Sequence, residues 1–231
     1  RLKNDLAATV SHELKTPIAS VKVLVDTLLD GHYKDAERTV EYLQLISTEN
    51  ERLARLVGNF LAFSRIEQGD QGYETALCHP QDIVEDALRP IRDRLETDRF
   101  QVECVIDDDV PKVEADRNAL VAALSNLLEN AYKFSRDSRQ IQVRVFTSGN
   151  DVHFSIADRG IGMSKREARR VFDRFYQVDT RLARESSGVG LGLSIVKGVA
   201  EGHGGGVHVE SDPGKGSTFE IHLPAAGGRS V

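Results

Sequence analysis

The sequence predicts a multidomain chain of class α followed by α+β: an antiparallel helical hairpin, then a two-layer α/β sandwich. Three observations carry this reading. Residues 1–68 show no strand alternation, and their apolar side chains recur at threes and fours. One row is Leu14, Ile18, Val21, Val25 and Leu28, and the other is Leu43, Ile46, Asn50, Leu53, Val57 and Phe60, the spacing of a packed helix seam. A polar break follows at Gly69-Asp70-Gln71-Gly72. Beyond it, short alternating runs are grouped in hairpins with helices set apart, which favours α+β over a doubly wound parallel sheet.

Each element follows from local signals. Asp30-Gly31 stops the first helix and His32-Tyr33-Lys34-Asp35 makes the turn. One hairpin cannot bury both apolar stripes, so a symmetric homodimer closing a four-helix bundle is expected. Asn50, at a seam position, is either a register-setting or a tolerated polar residue. Pro80–Leu95 reads as helix, split by Pro90. Phe100–Ile106 alternates as a strand, and Asp116 caps a long helix ending near Phe134. Gln140–Thr147 and Asp151–Asp158 form a hairpin around Ser148-Gly149-Asn150. Lys165–Phe172 and Gly190–Glu201 read as helices. Val207–Glu210 and Ser217–Leu223 pair across the turn Asp212-Pro213-Gly214-Lys215-Gly216. The expected domains are the hairpin at 1–68, a linker at 69–79, the sandwich at 80–225 and a tail at 226–231.

Composition narrows the function. The 231 residues suit one large domain or two small ones, and 40% hydrophobic with 29% charged residues is ordinary for a folded chain. A net charge of −6 argues against nucleic acid as a partner. No apolar run approaches the ~20 residues that span a bilayer, so no direct membrane contact is expected of this fragment. Cys78 and Cys104 lack metal or redox spacing and read as reduced structural thiols in a cytoplasmic setting. Arg1 falls inside a predicted helix, so the chain is expected to be a piece of a longer protein.

The stretch Ser11-His12-Glu13-Leu14-Lys15-Thr16-Pro17 places a histidine off the strict seam. Thr16, four residues on, shares its helix face, while Glu13 is rotated by about 100°. Pro17 removes a backbone donor and crowds the carbonyl of Glu13, bending the helix beside the ring. On these residues alone, a kinked surface helix is an equal reading.

Four later clusters point to a nucleotide. Asn126, Asn130 and Lys133 line one helix face, with Leu120, Leu124, Leu127 and Leu128 on the buried side. Amide oxygens suit Mg²⁺ and an ammonium suits phosphate, although such a face alone is more often merely solvated. Asp158-Arg159-Gly160-Ile161-Gly162-Met163 ends a strand. Its carboxylate can accept from an exocyclic amine, and its glycines let backbone approach a base. Val171-Phe172-Asp173-Arg174-Phe175-Tyr176 combines aromatics with an arginine expected to be buried. Polar Gln177–Ser187 follows as a lid. Gly188, Gly190 and Gly192, with Leu191 between them, lead into a helix N-terminus suited to phosphate. This run is not the dinucleotide fingerprint, since Ile195 stands at the third glycine. Gly214-Lys215-Gly216 is not a P-loop.

Taken in order, these segments resemble the sensor histidine kinases of two-component systems. The His12 stretch is similar to their H-box, and the later clusters to their N, G1, F and G2 boxes. Gly214-Lys215-Gly216-Ser217-Thr218-Phe219 is similar to their last glycine motif. The resemblance runs from about Thr9 to Leu223 and implies a gyrase/histidine-kinase type ATPase fold using ATP and Mg²⁺. It implies phosphorylation of His12, with Glu13 orienting or deprotonating the ring. Thr16 would position water for dephosphorylating a response-regulator receiver domain, the partner that accepts the phosphoryl group on aspartate. Asn130 would hold the metal, Asn126 would support it, Lys133 would meet phosphate and Asp158 would read adenine. Gly160, Gly162, Phe175, Gly188, Gly190, Leu191, Gly192 and Thr218 would complete the nucleotide site. The parent protein would be a membrane-anchored sensor. Ser187 and Val189 depart from the commonest lid pattern. Hydrolytic relatives carry a glutamate four residues before the metal-binding asparagine, where this chain has Asn126.

Overall fold

The heptad spacing produces two long helices, α1 (Leu2–Leu29) and α2 (Ala36–Glu67), which pack against each other. The structure, a computed structural model, describes residues 2–30, 36–67, 72–135, 137–178 and 190–227, without the side chains of 2–10, 12, 13, 55, 63 and 65–67. The predicted turn at His32–Asp35 and most of the Gly69–Gly72 break lie outside the described residues. The chain divides into two compact units, residues 1–67 forming the hairpin and residues 68–186 with 190–231 forming the second.

Packing of α1 on α2 splits each predicted seam in half. Leu14, Val21 and Leu28 on α1, and Ile46, Leu53 and Phe60 on α2, are half-buried. The alternate members stay open: Ile18 is 54% exposed, Val25 37%, Leu43 53% and Val57 45%, and Asn50 is exposed with them. Two helices can cover only one side of each seam, so every second seam residue faces away from the hairpin. Pro17 lies within α1 and is buried.

The second unit is a mixed five-stranded sheet with helices on one face. Its elements are β1 (Ala76–Cys78), α3 (Pro80–Leu88), α4 (Arg92–Thr97), β2 (Gln101–Ile106), β3 (Val113–Ala115) and α5 (Arg117–Phe134). They continue with β4 (Gln140–Ser148), β5 (Asp151–Asp158), α6 (Lys165–Ala168), α7 (Gly192–Gly202), β6 (Gly206–Asp212) and β7 (Gly216–Pro224). The sheet order is β2-β4-β5-β7-β6, antiparallel except for β2 beside β4. Alternate residues of β4, β5 and β7 face the helices: Ile141, Val143, Val145, Val152, Phe154, Ile156, Phe219, Ile221 and Leu223 are all buried. They meet Ile83, Val84, Leu120, Leu124, Leu127, Leu128, Ile195 and Val199 from α3, α5 and α7 in one core.

Pro90 splits the predicted Pro80–Leu95 helix by way of a 3₁₀ turn at Arg89–Ile91, because proline cannot supply the mid-helix donor. The strand predicted from Phe100 forms at Gln101, but its first five residues are exposed. It is an outer strand paired on one side only, so its alternation does not mark a buried face. The helix predicted at Lys165–Phe172 ends at Ala168. Its start is held by a capping box in which Glu167 accepts from the Ser164 N–H at 2.7 Å. Arg174 was expected to be buried but is exposed, while Val171 beside it turns inward. Strands β1 and β3 pair as a separate two-stranded ladder. Three residues each are too few for alternation to reveal them.

Candidate active site

The second unit's site is built on α5. Asp116 caps this helix by accepting from the Ala119 N–H at 3.0 Å. Leu120, Ala123, Leu124, Leu127, Leu128 and Ala131 bury one side. That packing fixes the rotation of the helix and turns Asn126, Asn130 and Lys133 onto a half-buried face. At the helix start, the Asp116 N–H donates to Nε2 of His203 at 2.9 Å, and Nδ1 of His203 bonds the Val199 carbonyl at 2.7 Å. The imidazole therefore ties the start of α5 to the end of α7. Further along, a Cβ on Gly192 would stand 3.3 Å from the Asn126 amide oxygen. The start of α7 and the amide row are immediate neighbours.

The loop after β5 crosses the other end of α5. Ile161 N–H donates to the Phe134 carbonyl at 3.2 Å. Gly160 lies so close that any Cβ there would overlap that same carbonyl, and Gly162 at φ +63° presses against the Asp212 carbonyl. Both positions require glycine, the second for its backbone conformation as well. The crossing brings Asp158, last residue of β5, to the end of α5 that carries Asn130 and Lys133. Met163 N–H donates to Ser211 Oγ at 2.7 Å, which fastens the loop to β6.

Asp158 is buried, with 8% of its surface exposed. Its Oδ1 accepts from the Gly160 N–H at 2.7 Å, and the Ser217 N–H donates to the same carboxylate. Burial raises its pKa from 3.8 to about 6, and the two backbone donors partly offset the rise. Burial also lowers the pKa of Lys133, with the charge of Glu129 acting in the opposite direction. Glu129 itself accepts from Arg94 at 2.7 Å, and the Arg94 guanidinium lies 4.6 Å from the Tyr132 ring centre. Glu129 is thus committed to α4.

The remaining predicted residues fall as follows. Phe175, half-buried at φ +59°, donates its N–H to the Gly190 carbonyl at 3.0 Å. This contact joins the aromatic cluster to the glycine run. Leu191 is buried and its carbonyl accepts from Ile195 N–H and Ser194 Oγ. Helix α7 starts at Gly192 rather than Gly190, because Gly190 has φ +71°. Thr218 is half-buried opposite Ala157, while Ser217 is the register partner of Asp158. Gly188 and the lid from 179 to 187 lie outside the described residues. In the first unit His12 and Glu13 lie on α1 with their side chains outside the description, and Thr16 is exposed. Sequence reasoning missed Ser217, Ser211, His203 and Arg94. Ser217 alone had a signal, its place beside the glycine motif, but strand register was needed to pair it with Asp158.

A cavity of about 680 Å³ opens between α6 and the β6–β7 edge, bordered by Asp158, Phe172, Ser217 and Thr218 with Lys165 and Arg169 at its rim. Asn126, Asn130 and Lys133 do not line it, so only the Asp158 corner of the site adjoins it. Among the described residues, no group of three or more His, Cys, Asp or Glu side chains could hold a metal ion. The hard donors available on α5 are the neutral amide oxygens.

Two family models cover most of the chain. The "His Kinase A (phospho-acceptor) domain" matches residues 2–69, and the "Histidine kinase-, DNA gyrase B-, and HSP90-like ATPase" matches residues 115–227. The chain belongs to the sensor histidine kinases of two-component systems. Among curated members of the family, the sensor-like histidine kinase SenX3 of Mycolicibacterium smegmatis is 34% identical over 225 residues, covering 96% of this chain and 57% of SenX3. The chain thus spans between a quarter and little more than half of the length of the curated relatives it matches. The solved structure of full-length ShkA in complex with AMPPNP is 26% identical, with a TM-score of 0.70 over 96% of this chain and 46% of ShkA. The Acinetobacter baumannii histidine kinase AdeS shares the fold, with a TM-score of 0.70 over 93% of this chain and 98% of AdeS at 22% identity.

The buried carboxylate sets a testable cost. Between pH 3.8 and about 6 the folded state holds more protons at Asp158 than the unfolded state, so its contribution to stability falls as pH rises through that window. At neutral pH the ionised group costs on the order of 3 kcal/mol. Asp158→Asn should raise the melting temperature by several degrees at pH 7 and leave it nearly unchanged at pH 4. Thermal scans at the two pH values check this; a lower melting temperature at pH 7 would contradict the cost.

Proposed function

We propose that this chain transfers the γ-phosphoryl group of Mg-ATP to His12 and then to an aspartate of a response-regulator receiver domain. The observation that carries the reading is the crossing at Phe134, which sets a buried carboxylate against the helix bearing two amides and a lysine. Asp158 would accept from the exocyclic amine of adenine. Lys133 would meet phosphate oxygens as a point charge, and the start of α7 would offer backbone N–H groups to them. Gly190 and Gly192 would belong to that phosphate-facing run, and Gly160, Gly162, Phe175, Leu191 and Thr218 would shape the walls around it.

Mg²⁺ fits the donor set, since the Asn130 amide oxygen is a hard neutral ligand with Asn126 one turn away. A single protein ligand leaves the remaining positions to phosphate and water, the usual arrangement for this ion. When bound, Mg²⁺ supplies charge neutralisation at the phosphates. Neutral His12 would attack the γ-phosphorus through its unprotonated ring nitrogen. The bond to the β–γ bridging oxygen breaks and ADP leaves. Glu13 would take the proton from the other ring nitrogen. The receiver aspartate would then accept the phosphoryl group and free the imidazole.

The ion pair of Glu129 with Arg94 favours phosphotransfer over a hydrolytic reading. No carboxylate stands where hydrolytic relatives keep their base, and the nearest one on α5 is already engaged. The apolar residues left open on α1 and α2 support a homodimer closing a four-helix bundle. The described residues include no helix long and apolar enough to cross a membrane; a membrane anchor would lie in the rest of a longer sensor.

Incubation with γ-labelled Mg-ATP should place acid-labile, alkali-stable label on the chain. His12→Gln should abolish it, and Asn130→Ala should lower it at least 100-fold. Phosphate release that persists in His12→Gln would instead identify an ATPase. Thr16, exposed one turn from His12, would position water for dephosphorylating the partner. Thr16→Ala should keep autophosphorylation within about twofold and slow receiver dephosphorylation at least tenfold, measured on pre-phosphorylated receiver domain; an unchanged rate would remove Thr16 from that role.

A further inference from the structure

One row of exposed residues runs along α2. Val40, Leu43, Ser47, Asn50, Ala54, Val57 and Leu61 follow intervals of three and four, and all are exposed. On α1, Ile18, Val25 and Leu29 are likewise exposed apolar residues. Val40 to Leu61 spans about 30 Å of helix, and two helices each about 10 Å wide present on the order of 600 Å². That is near the ~800 Å² per partner of a standard interface, and large for an apolar patch left in water. A second copy of the same chain is the occupant that matches it, because the stripe keeps the spacing of a self-complementary helix seam.

Asn50 sits at the middle of this stripe, seven residues from both Leu43 and Val57. Its side chain makes no hydrogen bond among the described residues of its own chain. Ser47 and Ala54 on either side of it are small and allow close helix approach. Once covered, a carboxamide needs both a donor and an acceptor, or its burial is costly. Leucine there would bind more strongly but would accept a shifted register as readily as the correct one. In a two-fold bundle with its axis along the helices, the same residue of the second copy lies at the same height. It brings the complementary donor and acceptor.

We propose that Asn50 is the register-setting residue of a self-association face on α2, its amide N–H donating to the carboxamide oxygen of Asn50 in a second copy. This rests on the homodimer reading above. Sedimentation velocity over a range of concentrations tests it on the whole chain, with helix content followed by circular dichroism. The parent should sediment as a single dimeric species. Asn50→Leu should lower the dimer dissociation constant at least tenfold and split the assembled material into more than one species. Asn50→Asp, which faces two like charges, should raise the constant at least tenfold with helix content retained. A dimeric parent whose two variants keep its dissociation constant and single species would overturn the role of Asn50 alone. A parent that stays monomeric would overturn the homodimer as well.

Discussion

The second unit's site depends on one backbone crossing, where the loop after β5 passes over the C-terminal end of α5 and Ile161 donates to the Phe134 carbonyl. No side chain chooses that contact. It exists because Gly160 has no Cβ to strike the carbonyl and because Gly162 can hold a left-handed backbone against Asp212. Sheet register delivers Asp158 to the crossing from one side. The leucine row of α5, buried against the core, fixes the helix on the other side. Apolar packing and glycine geometry bring the carboxylate to the end of the helix that carries the amides and the ammonium, with His203 tying the far ends of α5 and α7.

The electrostatics run against stability and toward binding. Asp158 is taken out of water and held by two backbone N–H groups. A buried acceptor of this kind has lost solvent that, under the proposed function, the amine of adenine would replace, so the site would be costly when empty and selective when filled. Glu129 shows the opposite treatment. It stands beside Asn130, yet Arg94 draws its carboxylate to α4, which would keep a second acid away from the proposed phosphate-facing side.

Much of this was legible in the sequence because the signals were local. Asp116 as a cap, the leucine row of α5, the hairpin joining β4 to β5 and the break at Pro90 each follow from residues a few positions apart. The hairpin seams were legible too, but only as seams: which half faces inward depends on the partner helix, and the structure divides Leu14, Val21 and Leu28 from Ile18 and Val25. What stayed hidden was set by register and by contacts far apart in sequence. Ser217 faces Asp158 across two strands, His203 meets Asp116 across the helix layer, and Arg94 reaches Glu129 from another helix. The strands Ala76–Cys78 and Val113–Ala115 were too short to alternate, and Arg174 misled because a flanking aromatic cluster says nothing about which way one member points.

The most direct test of the account is the affinity for ATP against GTP, measured by calorimetry with Mg²⁺ present. Adenine offers an exocyclic amine as donor where guanine offers a carbonyl oxygen. If the Asp158 carboxylate reads that edge of the base, ATP should bind at least 100-fold more tightly than GTP. Equal affinities would mean that Asp158 does not face the base, and the account of the site built on the Phe134 crossing would be wrong.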